Sequence, residues 1–137
     1  MKYLCILISI FFLSSCNNNS YVGNIPISQE FLNFTVKSGF PYINTLKKAS
    51  KGDENAILQI IRFAYKTDDL NAVDHGVIFS LMVLNLGDDF FLNFIKKQDI
   101  EYRDLSAKMF EAAIEYDKDL SDLNIKLKHS FEYLFEK

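Results

Sequence analysis

From about residue 28 onward, apolar side chains recur at the three- and four-residue spacing of an α-helix. Such spacing places them on one face of each helix, where they can pack into a core. The clearest stripe follows Asp53 and has apolar residues at i, i+1, i+4, i+5, i+8 and i+9: Ala56, Ile57, Ile60, Ile61, Ala64 and Tyr65. The pattern predicts a single all-α domain over residues 28–137.

Short turns divide this pattern into about six to seven helices. Ser28 is suited to begin the first helix and Gly39 lies just past its end, while Pro41 is suited to begin a second helix that Gly52 ends. The remaining helix starts are predicted at residues with capping side chains: Asp53, Asp68 or Asp69, Asp88, Asp104, and Asp119 or Ser121.

The fourth predicted helix is apolar on nearly every face between Val77 and Leu86, with Ser80 and Asn85 as the exceptions. A helix of this kind is surrounded by other helices in a soluble domain. The apolar stretch is ten residues long, whereas a bilayer-spanning helix needs about 20. The pattern therefore predicts a central core helix.

Two stretches, 52–86 and 87–121, repeat the order turn, helix, turn, helix. A shift of 35 residues aligns Gly52-Asp53 with Gly87-Asp88 and gives six identities in 35 positions, where about two are expected at typical residue usage. The layout loosely resembles HEAT-like helical hairpins, which stack to form a concave surface. The alternative is a plain helical bundle in which glycine turns and aspartate caps recur.

The N-terminal segment has a different pattern. Lys2 precedes an apolar run of 11 residues, from Tyr3 to Leu13. As a helix this run spans only about 16 Å, too short for a hydrocarbon core of about 30 Å. A basic start, a short apolar run and small residues at its end are typical of a cleaved secretory signal, predicted over residues 1–15.

The end of this signal, Leu13-Ser14-Ser15-Cys16, resembles the lipobox of bacterial lipoproteins. The resemblance implies cleavage before Cys16, diacylglycerol on its sulfur and a fatty acyl chain, such as palmitate, on its new amine. Two or more acyl chains hold a protein stably at a membrane, whereas one does not. The alternative is an ordinary secretory signal with a cysteine at this place by chance.

The lipobox resemblance also implies a location in the cell envelope. Asn17 stands where lipoproteins retained at the inner membrane carry aspartate, so the periplasmic face of the outer membrane is favoured in a Gram-negative host. Residues 16–27 are predicted to form the lipidated cysteine and a flexible tether. Cys5 and Cys16 are the only cysteines, so the mature chain is expected to have no disulfide.

The balance of charge excludes some partners. The chain has 15 Lys and Arg against 18 Asp and Glu, a net charge of −3. Removing residues 1–15 deletes Lys2, which gives 14 minus 18, or −4. A mildly acidic domain argues against a nucleic-acid partner and against peripheral binding to anionic lipid. The predicted partners are the membrane, through the lipid on Cys16, and another protein.

Asp74, His75 and Gly76 are the candidate residues for a surface or groove site. His75 could act as a base or metal ligand, but no second histidine lies one helical turn away. We therefore favour a structural histidine, and a close helix contact at Gly76 to offset the cost of mid-helix glycine. The sequence contains no motif for a catalytic residue set, a metal or a cofactor.

These observations favour a membrane-anchored helical module that binds another protein. A narrower alternative is a periplasmic immunity protein against a toxin. Two further alternatives are an envelope enzyme that uses His75 with carboxylates, and a carrier of a small apolar ligand. The carrier would need a cavity among residues of the fourth and fifth helices: Met82, Phe90, Phe91 and Phe94. Five tyrosines include candidate surface anchors for a protein partner, and the alternative for each is a place at the edge of the core with its hydroxyl in water: Tyr42, Tyr65, Tyr102, Tyr116 and Tyr133.

Overall fold

A computed structural model describes residues 19–136 of the chain, so the predicted signal segment and Cys16 lie outside the described residues. A two-stranded hairpin precedes eight α-helices in this range, which confirms the all-α class. The elements are β1 (Ser20–Val22), β2 (Ile25–Ile27), α1 (Gln29–Lys37), α2 (Tyr42–Ala49), α3 (Glu54–Phe63), α4 (Asp69–Leu86), α5 (Asp88–Ile95), α6 (Ile100–Tyr116), α7 (Leu123–Lys126) and α8 (Lys128–Phe135).

Capping side chains begin three of these helices where the sequence predicted them. Ser28 accepts a hydrogen bond from the backbone N–H of Phe31 at the start of α1. Asp53 and Asp68 accept the corresponding bond at the starts of α3 and α4. Each cap satisfies one of the N–H groups that a helix leaves unpaired in its first turn.

Two helix predictions near the C-terminus were wrong, one in where the helix begins and one in its continuity. Helix α6 begins at Ile100, four residues before Asp104, because the exposed Ile100 and Glu101 occupy its first turn and extend it beyond the apolar stripe. The predicted last helix is instead two helices, α7 and α8, which meet at Leu127, where the backbone is not helical (φ −115°, ψ 44°).

The prediction of a flexible tether was wrong for residues 20–27. Strands β1 and β2 pair antiparallel, and their loop has Gly23 at φ 60°, the sign that a type II′ turn requires at its first central residue. Val22, Ile25 and Ile27 are buried, so the hairpin belongs to the folded domain. Only residues 17–19 separate Cys16 from β1.

Helix α4 is central to the domain. It packs most extensively against α6 and also contacts β2, α5 and α1, which explains why it is apolar on most faces. In residues 19–136 no single helix is long and apolar enough to cross a bilayer, and α4 and α5 meet that criterion only as a pair bent by 110°.

The 35-residue repeat stays a prediction. Gly52 and Gly87 both have positive φ, 87° and 93°, and each precedes a short helix followed by a long one. However, Asp69 is the first residue of α4, whereas Asp104 lies inside α6. The most extensive packing joins the two long helices, α4 and α6, rather than the two helices of either expected hairpin.

Asp88 caps a different helix from the one predicted. It is the first residue of α5, yet its carboxylate accepts backbone N–H bonds from His129 and Ser130, both 2.8 Å long, at the start of α8. The Ser130 hydroxyl donates to the same carboxylate at 2.5 Å. Burial raises the pKa of Asp88, but these hydrogen bonds outweigh it and lower the pKa below its usual value.

Replacement of Asp88 by alanine is therefore expected to destabilise the domain by about 2 kcal/mol, since two N–H groups of α8 lose their acceptor. Urea denaturation followed by circular dichroism measures the change. Asp89 is adjacent and exposed, so Asp89→Ala is the matched control and should cost less than about 0.5 kcal/mol. Equal losses in the two variants would contradict this role of Asp88.

Candidate protein-binding groove

The three candidate residues of α4 point in different directions, because consecutive residues of a helix lie about 100° apart. His75 and Gly76 are buried, and Asp74 reaches the surface. The expectation that His75 and Gly76 belong to a surface site was therefore wrong, while the favoured packing interpretation agrees with their burial.

Both ring nitrogens of His75 have hydrogen-bond partners in the core. Nε2 lies 2.9 Å from the carbonyl oxygen of Ile60, and Nδ1 lies 2.7 Å from the hydroxyl of Tyr42. A carbonyl only accepts, so Nε2–H donates to it and Nδ1 accepts from Tyr42. Burial raises the pKa of Tyr42 well above its usual value, and the charge of Asp74 adds to this. The hydroxyl therefore stays protonated and able to donate.

His75 is thus a neutral structural residue. Burial lowers its pKa to about 4, and its two nitrogens are occupied, so it lacks the free nitrogen that a base or metal ligand needs. Within residues 19–136, no group of three His, Cys, Asp or Glu side chains is placed to hold a metal ion.

Gly76 allows the backbones of α4 and α6 to approach each other closely. A Cβ atom added at this position would lie 2.7 Å from the carbonyl oxygen of Met109 and 3.4 Å from Cβ of Ala112. The first distance is shorter than real Cβ contacts allow. The glycine is therefore required by helix packing.

Asp74 lines a surface groove that lies between α4, the C-terminal end of α6 and residues 26–30. Two adjoining depressions of about 300 and 420 Å³ make up this groove and share Val73, Asp74 and Tyr116. We call it the acidic groove. It is lined by carboxylates and by apolar side chains, chiefly Glu30, Asp69, Asp74, Asp117, Leu70, Val73, Val77 and Tyr116.

The charges of the acidic groove all have one sign. No Lys, Arg or His lines it, and none of its four carboxylates forms an ion pair within the described part of the chain. Asp74 accepts a hydrogen bond of 3.1 Å from the Ser28 hydroxyl, which anchors its carboxylate to the start of α1. Asp117 accepts one from the backbone N–H of Asp119.

Two large apolar side chains of the acidic groove are open to water. Leu70 is 80% exposed and Tyr116 is 64% exposed, and both line the same depression. Tyrosine is common at the centre of protein interfaces, where its ring buries apolar area and its hydroxyl keeps a polar contact. The groove therefore combines an apolar surface with a negative rim.

The cavity expected for an apolar ligand is filled by packed side chains. Met82, Phe91 and Phe94 are buried. The ring of Phe91 lies 5.9 Å from that of Phe94 and 5.7 Å from that of Phe110, distances typical of aromatic packing. Phe90 points outward and is 36% exposed. These contacts remove the support for a ligand carrier.

Comparison with protein-family models, with curated proteins and with solved structures finds no match to this chain.

Proposed function

We propose that this chain is a membrane-anchored envelope lipoprotein whose helical domain binds another protein through the acidic groove. The observation that carries the proposal is the exposure of Leu70 and Tyr116 beside four carboxylates that form no ion pair in the described chain. Exposed apolar side chains rimmed by polar residues are typical of protein interaction sites.

The position of the hairpin supports a short connection to the membrane. Four residue steps join Cys16 to Ser20, where β1 begins, and they span at most about 14 Å. Asn19 lines the acidic groove. A lipid on Cys16 would therefore hold the groove close to the bilayer surface, so the partner must be accessible there.

An immunity protein against a toxin is a narrower form of the same proposal, and the single sign of charge in the acidic groove favours it when the toxin is cationic. If cells that lack the protein are no more sensitive to the toxin than wild-type cells, the immunity hypothesis is contradicted. The envelope enzyme loses support, because His75, on which it depended, is buried with both nitrogens bonded.

The proposal is tested by placing a benzophenone photocrosslinking residue at position 116 and labelling the cells with a clickable fatty acid. We expect the fatty-acid label on the protein and a crosslinked adduct with a second protein. With Cys16→Ser we expect loss of the label and of most of the adduct, because the groove is no longer held at the membrane.

Two controls accompany this experiment. Cys5→Ser should keep the label, since Cys5 lies in the predicted signal. A crosslinker at Ile125, which is 75% exposed and does not line the groove, should give no comparable adduct. Equal labelling of the wild type and Cys16→Ser would contradict the anchor, and the absence of any adduct from position 116 would contradict protein binding at the groove.

A further inference from the structure

We infer that the acidic groove binds a short cationic segment of the partner, in which Lys or Arg residues alternate with large apolar ones. This inference rests on the proposed function and names the chemistry of the partner. The apolar residues of the segment would sit on Leu70 and Tyr116, and its cations would pair with the carboxylates of the rim.

The apolar surface of the groove has the length of a short peptide. Leu70, Val73 and Val77 lie at i, i+3 and i+7 on α4, so they form one stripe along the helix. Seven residues of helix rise about 10.5 Å, which matches three to four residues of an extended chain at about 3.3 Å each. Tyr116 closes one side of this stripe from the end of α6.

The rim of the groove selects the charge of the occupant. Asp69 and Asp74 lie on α4 beside the stripe, while Glu30 and Asp117 reach it from α1 and from the end of α6. The described lining residues include no cation, so Asp74 and Asp117 face one depression, and Glu30, Asp69 and Asp74 face the adjoining one, without a compensating charge. A cationic segment would relieve this repulsion and gain complementary contacts.

The same charges disfavour two other occupants. Anionic lipid headgroups would be repelled by the four carboxylates, although Asn19 brings the groove near the predicted anchor. A second copy of the chain placed groove to groove would oppose two sets of negative charge. A cationic protein segment with apolar residues can both pack against the apolar stripe and pair with the carboxylates of the rim.

The test is a phage-display experiment in which random 12-residue peptides are selected for binding to the purified full chain. We expect selected peptides to carry excess Lys and Arg together with Leu, Phe or Tyr, and their affinity to fall as salt rises. Neutralising three rim charges with Glu30→Gln, Asp69→Asn and Asp117→Asn should weaken a selected peptide about tenfold, since each exposed ion pair contributes modestly.

The matched control removes the same number of charges elsewhere on the surface, with Asp89→Asn, Asp104→Asn and Glu136→Gln, all exposed and outside the groove. Asp74 is kept in both variants because it bonds Ser28. The control should bind as the wild type does, and circular dichroism should show both variants folded.

The outcomes separate this inference from the proposed function. Selected peptides without a basic bias, equal weakening by both triple variants, or failure to recover any groove-binding peptide would overturn the cationic occupant. The crosslinked adduct at position 116 could still form in each of these cases. Loss of that adduct in cells would overturn protein binding itself.

Discussion

Replacement of Gly76 by valine is expected to destabilise the domain by about 3 kcal/mol. Any Cβ at this position would lie 2.7 Å from the carbonyl oxygen of Met109, which is backbone and cannot rotate away. Relief requires α6 to move away from α4, and these two helices share the most extensive packing in the domain. Overpacking of a close-packed core typically costs 1–3 kcal/mol, and more when backbone must shift.

Gly76→Ala tests the sign of this effect. On helix propensity alone, alanine in the middle of a helix should stabilise it by about 1 kcal/mol relative to glycine. The contact with α6 predicts a net loss instead. Urea denaturation measures both Gly76 variants, with Leu70→Ala as a control on the same helix, since Leu70 is 80% exposed. A stabilised Gly76→Ala would contradict the close helix contact.

The features that could be predicted from the sequence are local ones. Ser28, Asp53 and Asp68 cap N–H groups three residues away, so their roles follow from neighbours in the chain. The hairpin also had a local signal that was missed: Gly23-Asn24 is a favoured two-residue loop, and Ile25 and Ile27 after it are separated by one residue, the spacing of one face of a strand.

The features that could not be predicted join distant parts of the chain. Asp88 bonds residues about 40 positions later in the sequence, and no spacing rule encodes such a pair. The acidic groove likewise combines Asn19 with residues 26–30, 69–78 and 116–117. Asp74 was a candidate from the sequence, but its neighbours in the groove depend on the crossing of α4 and α6, which is set by packing at Gly76.

The same crossing places a titratable group in the core directly behind the groove. His75 follows Asp74 on α4, and its ring packs against Phe31, Tyr42 and Phe63 at centroid distances of 6.2, 5.6 and 5.4 Å. Its hydrogen bonds tie α4 to α2 and α3. A change in the protonation of His75 would therefore act on the packing of three helices.

Acid is expected to destabilise the domain through His75. Its pKa is about 4 in the folded chain and about 6.5 when unfolded, so between these values the unfolded state binds more protons. The contribution of neutral His75 to stability is thus fully present above pH 6.5 and is lost as the pH falls toward 4. A shift of this size corresponds to about 3 kcal/mol.

The measurement is the free energy of unfolding in urea at several pH values between 7.5 and 4.5. This window lies above the usual pKa of aspartate, so the lowered pKa values of Asp68 and Asp88 add little to the slope. His75→Phe should remove most of the slope, whereas His129→Gln should keep it, because His129 is exposed. Should His75→Phe not fold, NMR titration of the wild-type ring gives the answer directly. A His75 ring that protonates near pH 6.5 in the folded protein would contradict its neutral, doubly bonded state.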